Sequence, residues 1–142
     1  MSDKYFLDTN IFVYSFDKNN PEKCGQAQEL ICNALDSGKG VISYQVVQEF
    51  LCVALKKFTN PLSITDAAEY LSSVLFPLCQ VYPGTAFYLN ALEIRERTRL
   101  SLYDSLIVQA AREAGCRTLF SEDMQHGFKY FELTVKNPFS IL

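Results

Sequence analysis

Residues 4–10 read Lys4-Tyr5-Phe6-Leu7-Asp8-Thr9-Asn10, an apolar run that stops abruptly on an acid, a hydroxyl and an amide. Tyr, Phe and Leu in a short run suit a strand, and Asp, Thr and Asn all accept a bond from a free helix N–H. The segment predicts a strand over residues 4–7 that passes directly into a helix. The same step recurs along the chain. Pro21 opens a helix to about Asp36, closed by Ser37-Gly38-Lys39-Gly40. Val41-Ile42 forms a second strand, and Ser43 caps a helix to about Lys57. After a turn around Pro61, Ser63 or Thr65 starts a helix ending near Pro77.

A third strand covers residues 79–82 and stops at Pro83-Gly84; Thr85 caps a helix to about Arg97. Ser101 caps the next helix, which ends at Gly115, where a left-handed C-cap is expected. Residues 118–120 and 132–136 give the fourth and fifth strands. Short strands separated by helices imply crossover connections and a parallel sheet covered on both faces, an α/β fold. No repeat or linker divides the chain, so residues 1–142 are expected to form one domain. In such sheets ligands gather beyond the carboxyl ends of the strands.

Four acids fall where this topology would bring them together. Asp8 follows the first strand and Asp123 lies just past the fourth, while Glu49 and Asp104 interrupt the apolar stretches of two helices. Carboxylates converging on one place repel one another and call for a divalent cation. Each has a plainer reading. Asp8-Thr9-Asn10 serves as a helix cap, and Glu49 joins a polar stripe with Gln45, Gln48 and Lys56. Asp104 suits the first turn of its helix or a capping box with Ser101. Asp123 forms a turn, with Glu122 an equally polar neighbour.

The formal charge is −3, and setting the four acids aside leaves twelve acids against thirteen bases. Binding to nucleic acid is therefore not driven by a broad basic field, yet is not excluded. The five cysteines are scattered without a CxxC pair, and read as buried reduced thiols. No apolar run approaches the ~20 residues that span a bilayer and no secretory signal is visible, so a cytoplasmic protein is expected.

The segments Phe6-Leu7-Asp8-Thr9-Asn10-Ile11, Val47-Gln48-Glu49-Phe50, Leu100-Ser101-Leu102-Tyr103-Asp104-Ser105-Leu106-Ile107 and Leu119-Phe120-Ser121-Glu122-Asp123-Met124-Gln125-His126-Gly127 resemble PIN-domain proteins of the VapC toxin type. The resemblance runs from Lys4 through Val135, with the last two strings the specific ones. It implies a three-layer α/β/α fold with a five-stranded parallel sheet of order 3-2-1-4-5. It also implies a Mg²⁺- or Mn²⁺-dependent ribonuclease leaving a 5′-phosphate, the toxin of a type II toxin–antitoxin system. Such a toxin is usually dimeric and held by a cognate antitoxin. Carried over by position, Asp8, Glu49, Asp104 and Asp123 form an acidic quartet, with Asn10 and Ser121 as polar supports.

Among basic residues, Arg97 and Arg99 approach the start of the Asp104 helix and are the better candidates for RNA contact; Arg95 alternates with Glu93 and Glu96 as a solvated face would. His126 reads as a structural contact rather than a general base. Tyr14, Phe16 and Tyr103 are possible base-stacking residues, with core packing the plainer role. A phosphatase with an Asp8 nucleophile would want a second acid where Asn10 stands. The alternative outside enzymology is a PIN-like module that binds RNA or protein without cutting.

Overall fold

A computed structural model describes residues 3–140. Strands β1 (Tyr5–Leu7), β2 (Gly40–Ser43), β3 (Cys79–Val81), β4 (Thr118–Phe120), β5 (Lys129–Tyr130) and β6 (Leu133–Lys136) form one sheet of order β3-β2-β1-β4-β6-β5. All neighbours are parallel except β5 and β6. The five expected strands thus lie in the expected order, the fifth being β6. The sequence reading missed β5, an antiparallel edge strand of two residues. Lys129-Tyr130 is too short to carry an alternating pattern; its pairing to Thr134 and Leu133 is created by the tight turn at Phe131 and Glu132.

The helices are α1 (Thr9–Tyr14), α2 (Pro21–Ser37), α3 (Tyr44–Lys56), α4 (Ile64–Tyr70), α5 (Phe76–Leu78), α6 (Thr85–Thr98) and α7 (Leu102–Glu113). A π-helical segment, Leu71–Leu75, joins α4 to α5. It stands just ahead of Pro77, whose ring would clash with the carbonyl four residues back in a regular turn; the wider turn accommodates it. Ser63 and Ser101 cap α4 and α7, accepting from the backbone N–H of Asp66 at 3.0 Å and Asp104 at 3.1 Å. Thr85 is the first residue of α6 rather than its cap, which is Gly84. Gly115, at φ 78°, turns the chain after α7.

Phe6 and Leu7 of the central strand are fully buried, as are Val41 and Ile42 beside them, because helices cover both faces. Helix α2 lies so close to β2 that a methyl group on Gly40 would stand 2.2 Å from the Ala34 Cβ. Phe16, Phe50, Phe58 and Tyr70 make an aromatic cluster outside the sheet, with Phe50 and Phe16 each 5.1 Å from the Tyr70 ring. The cysteine expectation needs correction. All five are free, but only Cys79 and Cys116 are buried; Cys32 and Cys52 are exposed, on the outward faces of α2 and α3.

Candidate active site

The carboxyl ends of β1 and β4 lie side by side, since Leu7 pairs with Phe120. The chain leaves β1 at Asp8, whose backbone N–H donates to the Phe120 carbonyl at 3.0 Å, and leaves β4 at Ser121. The Ser121 hydroxyl, fully buried, donates to Asp8 Oδ2 at 2.8 Å and accepts from the Met124 N–H at 3.3 Å. Asp8 Oδ1 accepts from the Thr9 N–H at 2.7 Å as the cap of α1. Asp8 does cap α1 as its plainer reading has it, through one oxygen, while its other oxygen is oriented by Ser121.

The other three acids reach the same place from separate elements. Glu49, half-buried on α3, accepts from Thr9 Oγ1 at 2.5 Å and from Gln45 Nε2 at 3.2 Å. Asp123, exposed in the loop after β4, accepts from Asn10 Nδ2 at 2.9 Å. Asp104 sits half-buried in the first turn of α7. Burial pushes the Asp8 carboxyl up to about 6, against the bonds from Thr9 and Ser121, and the charges of Glu49 and Asp123 push the same way. Burial likewise raises Asp104, opposed by Ser101 and reinforced by Asp123 and Glu49. Asp8 and Asp104 both feel the charges of Glu49 and Asp123, which places the four acids in one electrostatic neighbourhood.

The donor set is all oxygen: four carboxylates, a hydroxyl and an amide, the chemistry of a hard cation. The acids are gathered but not closed on a point, for among the described residues no group of three or more His, Cys, Asp or Glu stands ready to clasp an ion. That openness suits Mg²⁺, which keeps several waters and takes one or two carboxylates directly.

Glu122 turns the other way from Asp123. It accepts from Tyr14 Oη at 2.7 Å and pairs with Lys23 Nζ at 2.5 Å. Burial raises its carboxyl, but the bonds from Lys23 and Tyr14 outweigh this and hold it below its usual value.

Sequence reasoning missed Thr9 and Gln45 as the holders of Glu49. Gln45 had a signal, four residues before Glu49 on one helix face; Thr9 had none, because its partner lies forty residues away. Ser105, next to Asp104, is fully buried, with its hydroxyl unpartnered among the described residues. His126 Nδ1 accepts from the Asn137 N–H at 3.0 Å, a structural contact. Arg97 pairs with Glu93 at 2.9 Å, and Arg99, at φ 68°, ends α6 on an outer face with Arg95 and Glu96. Neither is placed among the quartet. Of the possible stacking residues, Phe16 is in the aromatic cluster and Tyr14 is bonded to Glu122, while Tyr103 is 65% exposed beside Asp104.

The family model described as PIN domain matches residues 5–129. No curated protein matches the chain. Among solved structures, a toxin–antitoxin complex from Klebsiella pneumoniae is similar at 17% identity and TM-score 0.67, over 97% of this chain and 100% of that one. FitAcB from Neisseria gonorrhoeae is similar at 18% identity and TM-score 0.62, over 96% and 99%. VapC20 from Mycobacterium tuberculosis, a sarcin–ricin loop cleaving toxin, is similar at 19% identity and TM-score 0.59, over 84% and 92%. At these identities the likeness is one of fold.

Proposed function

The chain belongs to the PIN-domain family, and on that premise we propose that it is a VapC-like toxin, a Mg²⁺- or Mn²⁺-dependent endoribonuclease. The observation that carries this is the quartet: four carboxylates from the end of β1, α3, α7 and the loop after β4, with Asp8 and Asp104 both raised by burial and by the charges of Glu49 and Asp123. Uncompensated charge of this kind costs stability and gains nothing without a metal. The toxins and the toxin–antitoxin complex among the structural relatives support the same reading. With it go a cognate antitoxin, a homodimer and a cytoplasmic setting.

Asp8 and Asp104 would hold the principal ion, with Glu49 and Asp123 reaching it through water. When bound, the cation would supply a water of lowered pKa and neutralise charge on the phosphate. The chain's own residues orient the donors. Ser121 fixes the free oxygen of Asp8, Thr9 and Gln45 fix both oxygens of Glu49, and Asn10 draws Asp123 in from the surface. No histidine is required as a base, and His126 is occupied elsewhere.

The test is cleavage of total cellular RNA with Mn²⁺ or Mg²⁺ by wild type and Asp8→Asn. Metal-dependent fragments that fall at least about 100-fold in the variant are expected, the scale of losing a preorganised charge interaction. Equal cutting by both proteins would reject the quartet as the site. The open spacing of the acids gives one observation in favour of a second reading, a non-cleaving binding module. Under that reading Mn²⁺ leaves the melting temperature unchanged; under the nuclease reading it raises it, because the ion binds only the folded state.

A further inference from the structure

A cavity of about 420 Å³ opens between α6, the second half of α7 and the β5–β6 turn. That turn precedes β6, so the cavity lies toward the amino edge of the sheet, the opposite end from the quartet. Arg97, expected near Asp104, lines it instead, across from Arg112.

Three features there point to a ligand. Gln109 is 5% exposed and lines the cavity, yet its amide has no hydrogen-bond partner among the described residues. That amide is not shut off from solvent, so its donor and acceptor face the cavity and are free to pair with a group that enters it. The guanidinium of Arg112 lies 4.5 Å from the Phe131 ring centroid and 5.1 Å from that of Tyr130, the two rings meeting edge-on at 4.8 Å. Phe131 itself is held at φ 54° with its side chain 62% exposed. A bulky residue in the left-handed region is an outlier, and strain of that kind gathers at ligand clamps.

Charge decides the class of ligand. Arg97 is paired with Glu93, and Glu113 stands beside Arg112, so two cations meet two anions and no net charge is left to attract a phosphate. What remains is a flat surface of aromatic ring and guanidinium, bordered by the amides of Gln109 and Asn90. It suits a planar, neutral group with its own donors and acceptors. We propose that this cavity binds an unpaired nucleobase, stacked on Phe131 and Arg112 and hydrogen-bonded along its edge by Gln109. Glutamine pairs with adenine through two bonds, and base stacking on aromatics and Arg is the usual platform for single strands.

The base comes either from a single-stranded stretch of RNA flanking the cleaved bond or from a free nucleotide. The first source rests on the nuclease reading; recognition of the base does not. Arg112 follows Asp104 by eight residues on one helix, about 12 Å along its axis, a span that a few nucleotides bridge.

The test is titration of the whole protein in EDTA with AMP and with a short single-stranded oligoadenylate, followed by NMR shifts and fluorescence anisotropy. Both ligands are expected to saturate, and Gln109→Leu and Phe131→Gly are each expected to weaken binding tenfold or more. Phe131→Gly should leave the melting temperature equal or higher, because glycine adopts positive φ without strain, so weaker binding there is not unfolding. Tenfold tighter binding of the oligonucleotide identifies an RNA strand as the source, and equal affinity identifies a free nucleotide. Absence of binding to wild type, or binding unchanged in both variants, overturns the proposal. Because nothing is cleaved in EDTA, that failure is separate from failure of the Asp8→Asn cleavage test.

Discussion

Glu122 and Asp123 are neighbours in one loop, and the fold treats their charges in opposite ways. Glu122 has Lys23 and a tyrosine hydroxyl, and Lys23 also lies 4.7 Å above the Tyr14 ring and 5.5 Å from that of Phe139. Asp123 has one amide, from Asn10, and three other acids within electrostatic reach of it or of each other. Asn10 and Tyr14 are four residues apart on α1, so a single helix face holds both acids. The compensated cluster is a latch that fixes the loop. The uncompensated one is the candidate site: the fold neutralises charge where it fixes a loop and leaves it bare where the proposed cation would bind.

The largest test of this contrast is pH. With its folded pKa raised from 3.8 to about 6, Asp8 binds its proton more tightly in the folded than in the unfolded chain. Its contribution is greatest below 3.8 and is lost as pH rises to about 6. Glu122, lowered from 4.5, works oppositely and loses its contribution only below 4.5. Between these limits the quartet acts alone. Metal-free protein is therefore expected to be more stable at pH 5 than at pH 7, by about 1.3 kcal/mol from Asp8 out of a full effect of about 3 kcal/mol reached only below pH 3.8, with Asp104 adding in the same direction. Urea unfolding in EDTA at the two values measures it, and Asp8→Asn should flatten most of the difference. Equal stability at both would mean the acids are not strained.

Next in size is Ser121→Ala. It removes the hydroxyl that holds Asp8 and accepts from Met124, inside a fully buried position. A loss of about 1–2 kcal/mol in unfolding free energy is expected, together with a further rise in the Asp8 pKa, read by NMR titration. A drop in stability with no movement of Asp8 would make Ser121 a loop residue only. The smallest effect is that of Lys23→Met. Its ion pair with Glu122 is partly exposed, so only a small loss of stability is expected, and it should shrink in high salt. A salt-independent loss would assign the effect to ring packing instead.

Most elements were legible because their signals are local. Phe6-Leu7 ahead of Asp8-Thr9-Asn10 states a strand and a cap within six residues, and Ser101 with Asp104 states a helix start within four. The acids stood out for a similar reason, since a carboxylate on an apolar helix or past a buried strand is conspicuous on its own. Strand β5 was not legible, for two residues carry no period. Nor were Cys32 and Cys52, apolar by type yet turned outward by the phase of their helices.

By itself, then, the sequence determined the order of elements, the class of sheet and which acids are out of place, because capping, period and burial cost act over a few residues. Only the tertiary structure decided that Asp123 rather than Glu122 joins the quartet, that Thr9 holds Glu49, and that Arg97 belongs to a cavity with Arg112 and Phe131. Those choices depend on partners forty to more than a hundred residues apart in the chain, or, for Arg97, on how α6, α7 and the β5–β6 turn come to share a surface. Such neighbours are set by how helices and sheet pack, and no local pattern encodes them.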